Sequence, residues 1–523
     1  MLKAYANNIE LQQKTLAGVN KLADNVAVTL GPKGRNVILH KKGKNPIVTK
    51  DGVTVANFVD LEDPFENAAA QILKQVASET NALAGDGTTT STVLARDILK
   101  NSQRYLMAGS SPVELKRGMD SATTVILNKL KEVARPVESF QEVEYVATIS
   151  ANGDEAIGKL IASAAEQAGS DGSILVQDAK SLDTSLEVLE GFRMDSGYFA
   201  QAFVTNERNN SIVYEDLLLL VTDHKIDDAK ALLPVLELVA REGKPFIIVA
   251  EQVEGQALAA LIMNAVRGTM KVAAAKAPGY GSERTNILKD LCLATGATFI
   301  SRSSGKKLSE VVLSDLGCCD KIEILKNNTT IMGGQADWEE IDKKIESLKS
   351  EIKQTEDLGE CRKLQKRISR LNSAVSVIKV GGATEIEMIE RKHRIEDALA
   401  AVKSAQDQGV LPGGGISLLQ ASNFEVESEN EDQALGVAVI KKSLEAPVRQ
   451  MARNAGQSAD VIVEKIRACG DPGYGWDFKT NELVDMMDKG IMDPAKVTMT
   501  ALKNAVSAAS TLITTSNGIV EIK

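Results

Sequence analysis

Aromatic residues make up only 4% of this 523-residue chain, and it has just three histidines. His40, His224 and His393 are far apart in sequence, so a histidine metal site or a Ser–His–Asp triad has little to build on. The five cysteines (Cys292, Cys318, Cys319, Cys361 and Cys469) are odd in number and form no CxxC pair. That pattern excludes a complete disulfide framework and a cysteine-built zinc set, and it reads as reduced thiols. No run approaches the ~18 apolar residues that a membrane span requires. Met1-Leu-Lys-Ala-Tyr-Ala6 has neither the apolar core of a signal peptide nor the arginine-rich character of a transit peptide, so a cytoplasmic location is expected. The net charge of −10 argues against a general nucleic-acid or anionic-membrane binder. The P-loop pattern GxxxxGK[ST] is also missing, which excludes that route to phosphate binding.

The composition that remains is ordinary for a globular protein, 43% hydrophobic and 25% charged, and the length suggests about three domains. Helical spacing of apolar residues runs through Asn67–Leu83 and Thr89–Ser102 until Arg135-Pro136-Val137 breaks it. Beyond Gly172, short β-rich runs (Ser173–Val176, Leu217–Val221, Phe246–Ala250) alternate with helical stretches and predict an α/β module. Glu339–Leu371 reads as a charged helical segment with Ile341, Ile345, Leu348 and Ile352 as its apolar stripe and most of the rest solvated. Helical, alanine-rich character returns from Ile395 onward. Helical ends around a mixed middle predict a domain assembled from both ends of the chain.

Gly85-Asp86-Gly87-Thr88-Thr89-Thr90 carries the chemistry. Two glycines allow backbone to approach a phosphate, and the amides that follow can point at anionic oxygens. Asp86 is a hard carboxylate suited to Mg²⁺. Taken alone, the hexapeptide fits a glycine turn before a helix equally well. Gly413-Gly414-Gly415 ahead of Ile416–Ala421 has the same two readings. In Asp228–Gly243, Ala229, Leu232, Leu233, Leu236 and Val239 form a stripe with Val235 and Leu238 outside its centre. In Glu254–Gly268, Leu258, Leu261, Ile262, Ala265 and Val266 form a stripe that Met263 leaves. Two-sided burial explains such helices, and so does an exposed apolar groove.

The hexapeptide lies within an ordered set: Val28-Thr-Leu-Gly-Pro-Lys-Gly-Arg-Asn36, Thr49-Lys-Asp-Gly-Val53, Glu396-Asp-Ala-Leu399, Gly413–Gly415 and Gly490-Ile-Met-Asp-Pro494. In this set the chain resembles the group I, GroEL-type chaperonins, from about Asn20 to Thr515. The resemblance implies a multidomain α+β and α/β fold. Residues 1–133 and 408–523 would form a mainly helical equatorial ATPase domain, 134–190 and 375–407 a small intermediate domain, and 191–374 an α/β apical domain. It implies ATP and Mg²⁺ as ligands, with K⁺ as a further candidate cation. By matching position, Asp86 would hold the metal and Asp51 and Asp397 would be catalytic. Leu30, Gly31, Pro32, Lys50, Gly85, Asp86, Gly87, Thr88, Thr89, Thr90, Gly413, Gly414, Asp477 and Asp493 would bind the nucleotide. Tyr198, Phe203, Leu233, Leu236, Leu258, Ile262 and Met263 would contact clients and co-chaperonin. The partners implied are non-native polypeptides, a GroES-type co-chaperonin and further copies in a heptameric ring, single or double, with neither nucleic acid nor membrane. A ring that holds clients under ATP control without enclosing them is the alternative.

Several positions depart from that pattern. Trp476-Asp-Phe-Lys479 replaces small residues near the base, and Ala202 stands where an aromatic is usual. Asn372-Ser-Ala374 replaces glycines opposite Gly191 at the implied upper hinge. Ser196 replaces an arginine that would pair with the Glu385 position of a neighbour. Arg449 faces Ser458 in place of a glutamate, with Asp460 nearby as a substitute.

Overall fold

Glycine sets how closely the helices of the first part of the chain approach one another. In the computed structural model, which describes residues 2–522 apart from 42, 44–45, 169–172, 180, 208, 336–337, 355–357 and 372–373, helices Pro112–Val133 and Glu431–Ser443 meet at Gly118 and Gly436. A Cβ on Gly118 would lie 2.0 Å from the Gln433 carbonyl oxygen, and one on Gly436 would lie 2.2 Å from that of Leu115. Helices Asn8–Ala27 and Pro64–Ala84 meet the same way at Gly18, whose Cβ would fall 2.1 Å from the Glu66 carbonyl oxygen. The starts of these helices are legible. Asp63 accepts from the Phe65 and Glu66 amides ahead of Pro64, and Ser111 caps the helix that begins at Pro112. Leu22, Leu73, Leu94, Ile98, Leu115, Met119, Ile126 and Leu502 fill the core between them.

The chain divides into two compact units. The first joins Met1–Ser163, Asp178–Thr184 and Val380–Lys523, so both ends of the sequence build it, as the helical flanks predict. Strands Leu2–Asn7 and Asn517–Ile522 pair antiparallel within it. Helices Phe140–Ser150 and Glu385–Gln408 also belong to it.

The second unit, Ala164–Gln177 and Ser185–Lys379, holds an eight-stranded mixed sheet. Its order is Val272–Lys276, Phe246–Ala250, Ile212–Val221, Gly317–Ile324, Thr329–Gly334, Ser185–Met194, Ala374–Val380, Ser173–Asp178. The first three run parallel. Their apolar runs, with Phe246–Ala250 wholly buried, are what sheet interiors covered on both faces require. The next pairings are antiparallel. The α/β module is therefore as read, but the hairpin Gly317–Ile324/Thr329–Gly334 carries no run that sequence periodicity would single out. The Glu339–Leu371 segment is two helices, Trp338–Gln354 and Leu358–Leu371; Ile341, Ile345 and Leu348 are buried on the core. Arg367 fastens the second of these to helix Gly281–Thr295 through a two-point bond to Asp290, which is 1% exposed. At the implied hinge, Gly191 pairs with Met332 and Ala374 with Glu190, while Asn372 and Ser373 lie outside the described residues. Among the described residues no helix is long and apolar enough to cross a membrane.

Candidate functional site

Asp86 is held between two left-handed glycines. Gly85, at φ 74°, ends helix Pro64–Ala84, and Gly87, at φ 84°, precedes helix Thr88–Met107; positive φ is cheap only for glycine. No side chain caps the second helix, so its first amides are left for a ligand, and the dipole there favours an anion. One Asp86 carboxylate oxygen accepts from the Gly87 amide at 2.5 Å and the other from the Ser150 hydroxyl at 2.5 Å. Gly52 presses on the threonines, since a Cβ there would meet the Thr89 and Thr88 hydroxyls at 2.4 and 2.7 Å. The Thr89 hydroxyl is in turn 3.1 Å from that of Thr29.

A cavity of about 730 Å³ opens onto this turn, and all of its lining residues belong to the first unit. Its wall gathers Leu30, Gly31, Pro32, Lys50, Asp51, Asp86, Gly87, Thr88, Thr89, Thr90, Asp397, Gly414, Asp477 and Asp493, segments hundreds of residues apart. Asp51 caps helix Gly52–Phe58, its two oxygens accepting from the Val53 and Thr54 amides at 3.1 Å each. Lys50 donates to the Gly31 carbonyl at 3.1 Å. Burial, and then the nearby Arg394 charge, lower the pKa of Lys50. Burial likewise raises Asp86, partly offset by Ser150 and Gly87. Asp493 is pushed up to about 7, first by burial and then by the Asp86 charge, against the Gly415 and Gly414 amides that bond it. The cavity wall carries more carboxylates than basic side chains, and burial disfavours the charged forms of Asp86 and Asp493, a condition that a cation relieves. Among the described residues no three or more Asp, Glu, His or Cys are gathered as a preformed metal cage.

Two expected contacts do not reach the cavity. Gly85 turns against Ala400, where a Cβ would fall 2.1 Å from the Ala400 Cβ, and Gly413 donates to the Ile491 carbonyl at 2.8 Å. Both are spacers that let their neighbours line the wall. Asp477 lines it, but its oxygens accept from the Lys479 amide at 2.7 Å and the Thr480 hydroxyl at 2.9 Å, stitching the turn of hairpin Tyr474–Asp477/Glu482–Asp485. Sequence reasoning missed Ser150, Thr29 and Arg394. Nothing marks Ser150 among many hydroxyls. Arg394 was findable, because Glu390, His393, Arg394 and Asp397 recur at helical spacing and all face the cavity. Arg394 bonds both Glu390 oxygens and reaches Asp154 at 3.3 Å.

The profile of the TCP-1/cpn60 chaperonin family matches residues 22–523. The chain belongs to that family. This chaperonin is also similar over 99% of its length to 99% of a solved structure, the chaperonin gp146 from the bacteriophage EL 2 (Pseudomonas aeruginosa) in the presence of ATP-BeFx, at a TM-score of 0.69 and 22% identity. At that identity the likeness concerns the fold, which is the multidomain GroEL-like one.

In the second unit of the chaperonin, the apolar helices are Ala229–Glu242 and Gly255–Arg267. Leu233 and Met263 stand out at 50% and 47% exposure, while Tyr198, Leu258 and Ile262 are half-buried against the core. Phe203 and Leu236, expected on the surface, are core residues. The helical period places Leu236 with Leu232, Val235 and Val239 on the inward face, and the short turn Gln201–Phe203 points its ring inward. Val266, at 69% exposure, joins the outward set instead. Ala202 is exposed.

Proposed function

We propose that this chain is an ATP-hydrolysing chaperonin subunit that captures non-native polypeptides and, in heptameric rings beneath a GroES-type lid, encloses them in the cytoplasm. The cavity carries the reading: the uncapped start of the 88–107 helix, Asp86 and Asp493 share one wall with Asp51 and Asp397. The glycine cradle and free amides fit phosphates. The carboxylate excess fits a divalent cation held by Asp86, and such a cation, when bound, neutralises phosphate oxygens; K⁺ is a second candidate. Leu30, Gly31, Pro32 and Lys50 would close one side of the nucleotide. Asp51, fixed by its cap bonds, and Asp397 would orient the attacking water. We assign residues 1–133 and 408–523 to the equatorial part, 134–190 and 375–407 to the intermediate part, and 191–374 to the apical part. Leu233, Met263 and Val266, supported by Tyr198, Leu258 and Ile262, would form the client surface.

Asp397→Ala tests the assignment. It is expected to bind ATP with little change and to lose turnover by about 100-fold or more, the scale of a positioned acid–base group. Hydrolysis at the wild-type rate would remove Asp397 from the reaction. Wild-type protein that neither binds ATP nor captures a denatured polypeptide would overturn the function as a whole.

A second reading, an ATP-regulated ring that holds clients without enclosing them, draws on charges committed within the chain. Arg449 bonds Glu445 and Asp460, both at 2.6 Å, and Ser196 bonds the Lys276 carbonyl where an arginine would serve a neighbour. A protease-protection assay with a lid protein and ATP separates the two, since only enclosure shields the client.

A further inference from the structure

The cavity has two chemically different ends. One is the amide-lined start of the 88–107 helix beside Asp86. Asp493 comes next, near enough to Asp86 for their charges to act on each other, and bonded by the Gly414 and Gly415 amides. A Cβ on Gly414 would meet Met486 at 2.8 Å, and one on Gly475 would meet the same methionine at 2.8 Å. The wall thus runs from phosphate cradle through Asp493 and the glycines to the 474–485 hairpin. On the nucleotide reading above, which this inference deepens, a triphosphate seated in the cradle presents its base to that hairpin.

Most side chains of the hairpin turn are already committed. Trp476 and Phe478 are 9% and 3% exposed and belong to the core, and the Trp476 indole donates to Gln457 at 3.0 Å. The Asp477 and Thr480 side chains bond each other. Lys479 differs: it lines the cavity, is exposed, and its ammonium makes no hydrogen bond or ion pair among the described residues. An ammonium donates and cannot accept. It can donate to the N7 of either purine, but only guanine adds a second acceptor at O6, where adenine presents an amino group that needs an acceptor such as a backbone carbonyl. We infer that Lys479 is a specificity-determining residue that opens the base end to 6-keto purines, so that the site takes GTP beside ATP.

Equilibrium binding of ATP and GTP to the assembled wild-type protein, Lys479→Ala and Lys479→Glu tests this. Wild type is expected to bind GTP within about tenfold of ATP. Lys479→Ala should weaken GTP by about tenfold and ATP by less than threefold, and Lys479→Glu, which adds an acceptor, should shift the preference further toward ATP. Wild-type rejection of GTP beyond tenfold, or equal losses of both nucleotides in Lys479→Ala, overturns the assignment and leaves the ATP site standing. Failure of wild type to bind either nucleotide overturns the nucleotide reading itself.

Discussion

Asp493 shows at the scale of one residue what an electrostatically incomplete site does to the protein that carries it. Its carboxyl is raised from an ordinary 3.8 to about 7 in the fold, so the folded state prefers the protonated form. Between those values the native state holds a proton that the unfolded chain releases, and stability falls as pH rises through the window. The penalty is complete above about pH 7 and is on the order of 4 kcal/mol at 1.36 kcal/mol per pKa unit. In protein free of nucleotide and divalent cations, Asp493→Asn should therefore gain stability over wild type at pH 8 and little at pH 4, read from denaturation midpoints. Parallel pH dependence of the two proteins would show that the Asp493 carboxyl titrates as it does in the unfolded chain. Ser150, whose hydroxyl bonds Asp86, shows where residue-level reading stops, because a hydroxyl at a helix end has many uses and only the fold selects this one.

Elements were most legible where a local rule sufficed. Helical periodicity and the Asp63 and Ser111 caps mark the helices, and Gly85–Thr90 marks the turn of the cradle. The rest depends on partners distant in sequence. Nothing near Phe203 tells that its ring turns inward, and although helical spacing groups Leu236 with Leu232, Val235 and Val239, it does not tell that this side of the helix, and not the Leu233 side, is the covered one. The contact at Gly436 is a test of element packing. An exposed helical glycine gains up to about 1 kcal/mol when changed to alanine. Here the new methyl would sit 2.2 Å from the Leu115 carbonyl, inside contact distance with backbone that cannot turn away. Overpacking of this kind costs ~1–3 kcal/mol, so the steric effect wins. Gly436→Ala is expected to lower the thermal unfolding midpoint of the first unit, and a raised midpoint would mean that the helices separate freely.

For the whole molecule, the family and its broad architecture were readable because several motifs keep one order across the chain, and the family profile then covers residues 22–523. What could not be read was which side chains of the Trp476–Thr480 hairpin face inward, since a turn has no periodicity to reveal it. The division into units has a consequence for synthesis. Ala164–Gln177 and Ser185–Lys379 are complete when roughly 7–30 s of translation, at ~5–20 residues per second, still separate the ribosome from Lys523. Through that wait Leu115, Met119 and Ile126 have no Val437, Ile440 or Leu502 to cover them. A nascent chain stalled after Lys379 should be digested by protease within its first 163 residues while the later part resists; uniform resistance would count against this order. A newborn copy is then, for those seconds, itself a sticky half-made polypeptide of the sort that finished copies would recognise under the function proposed above.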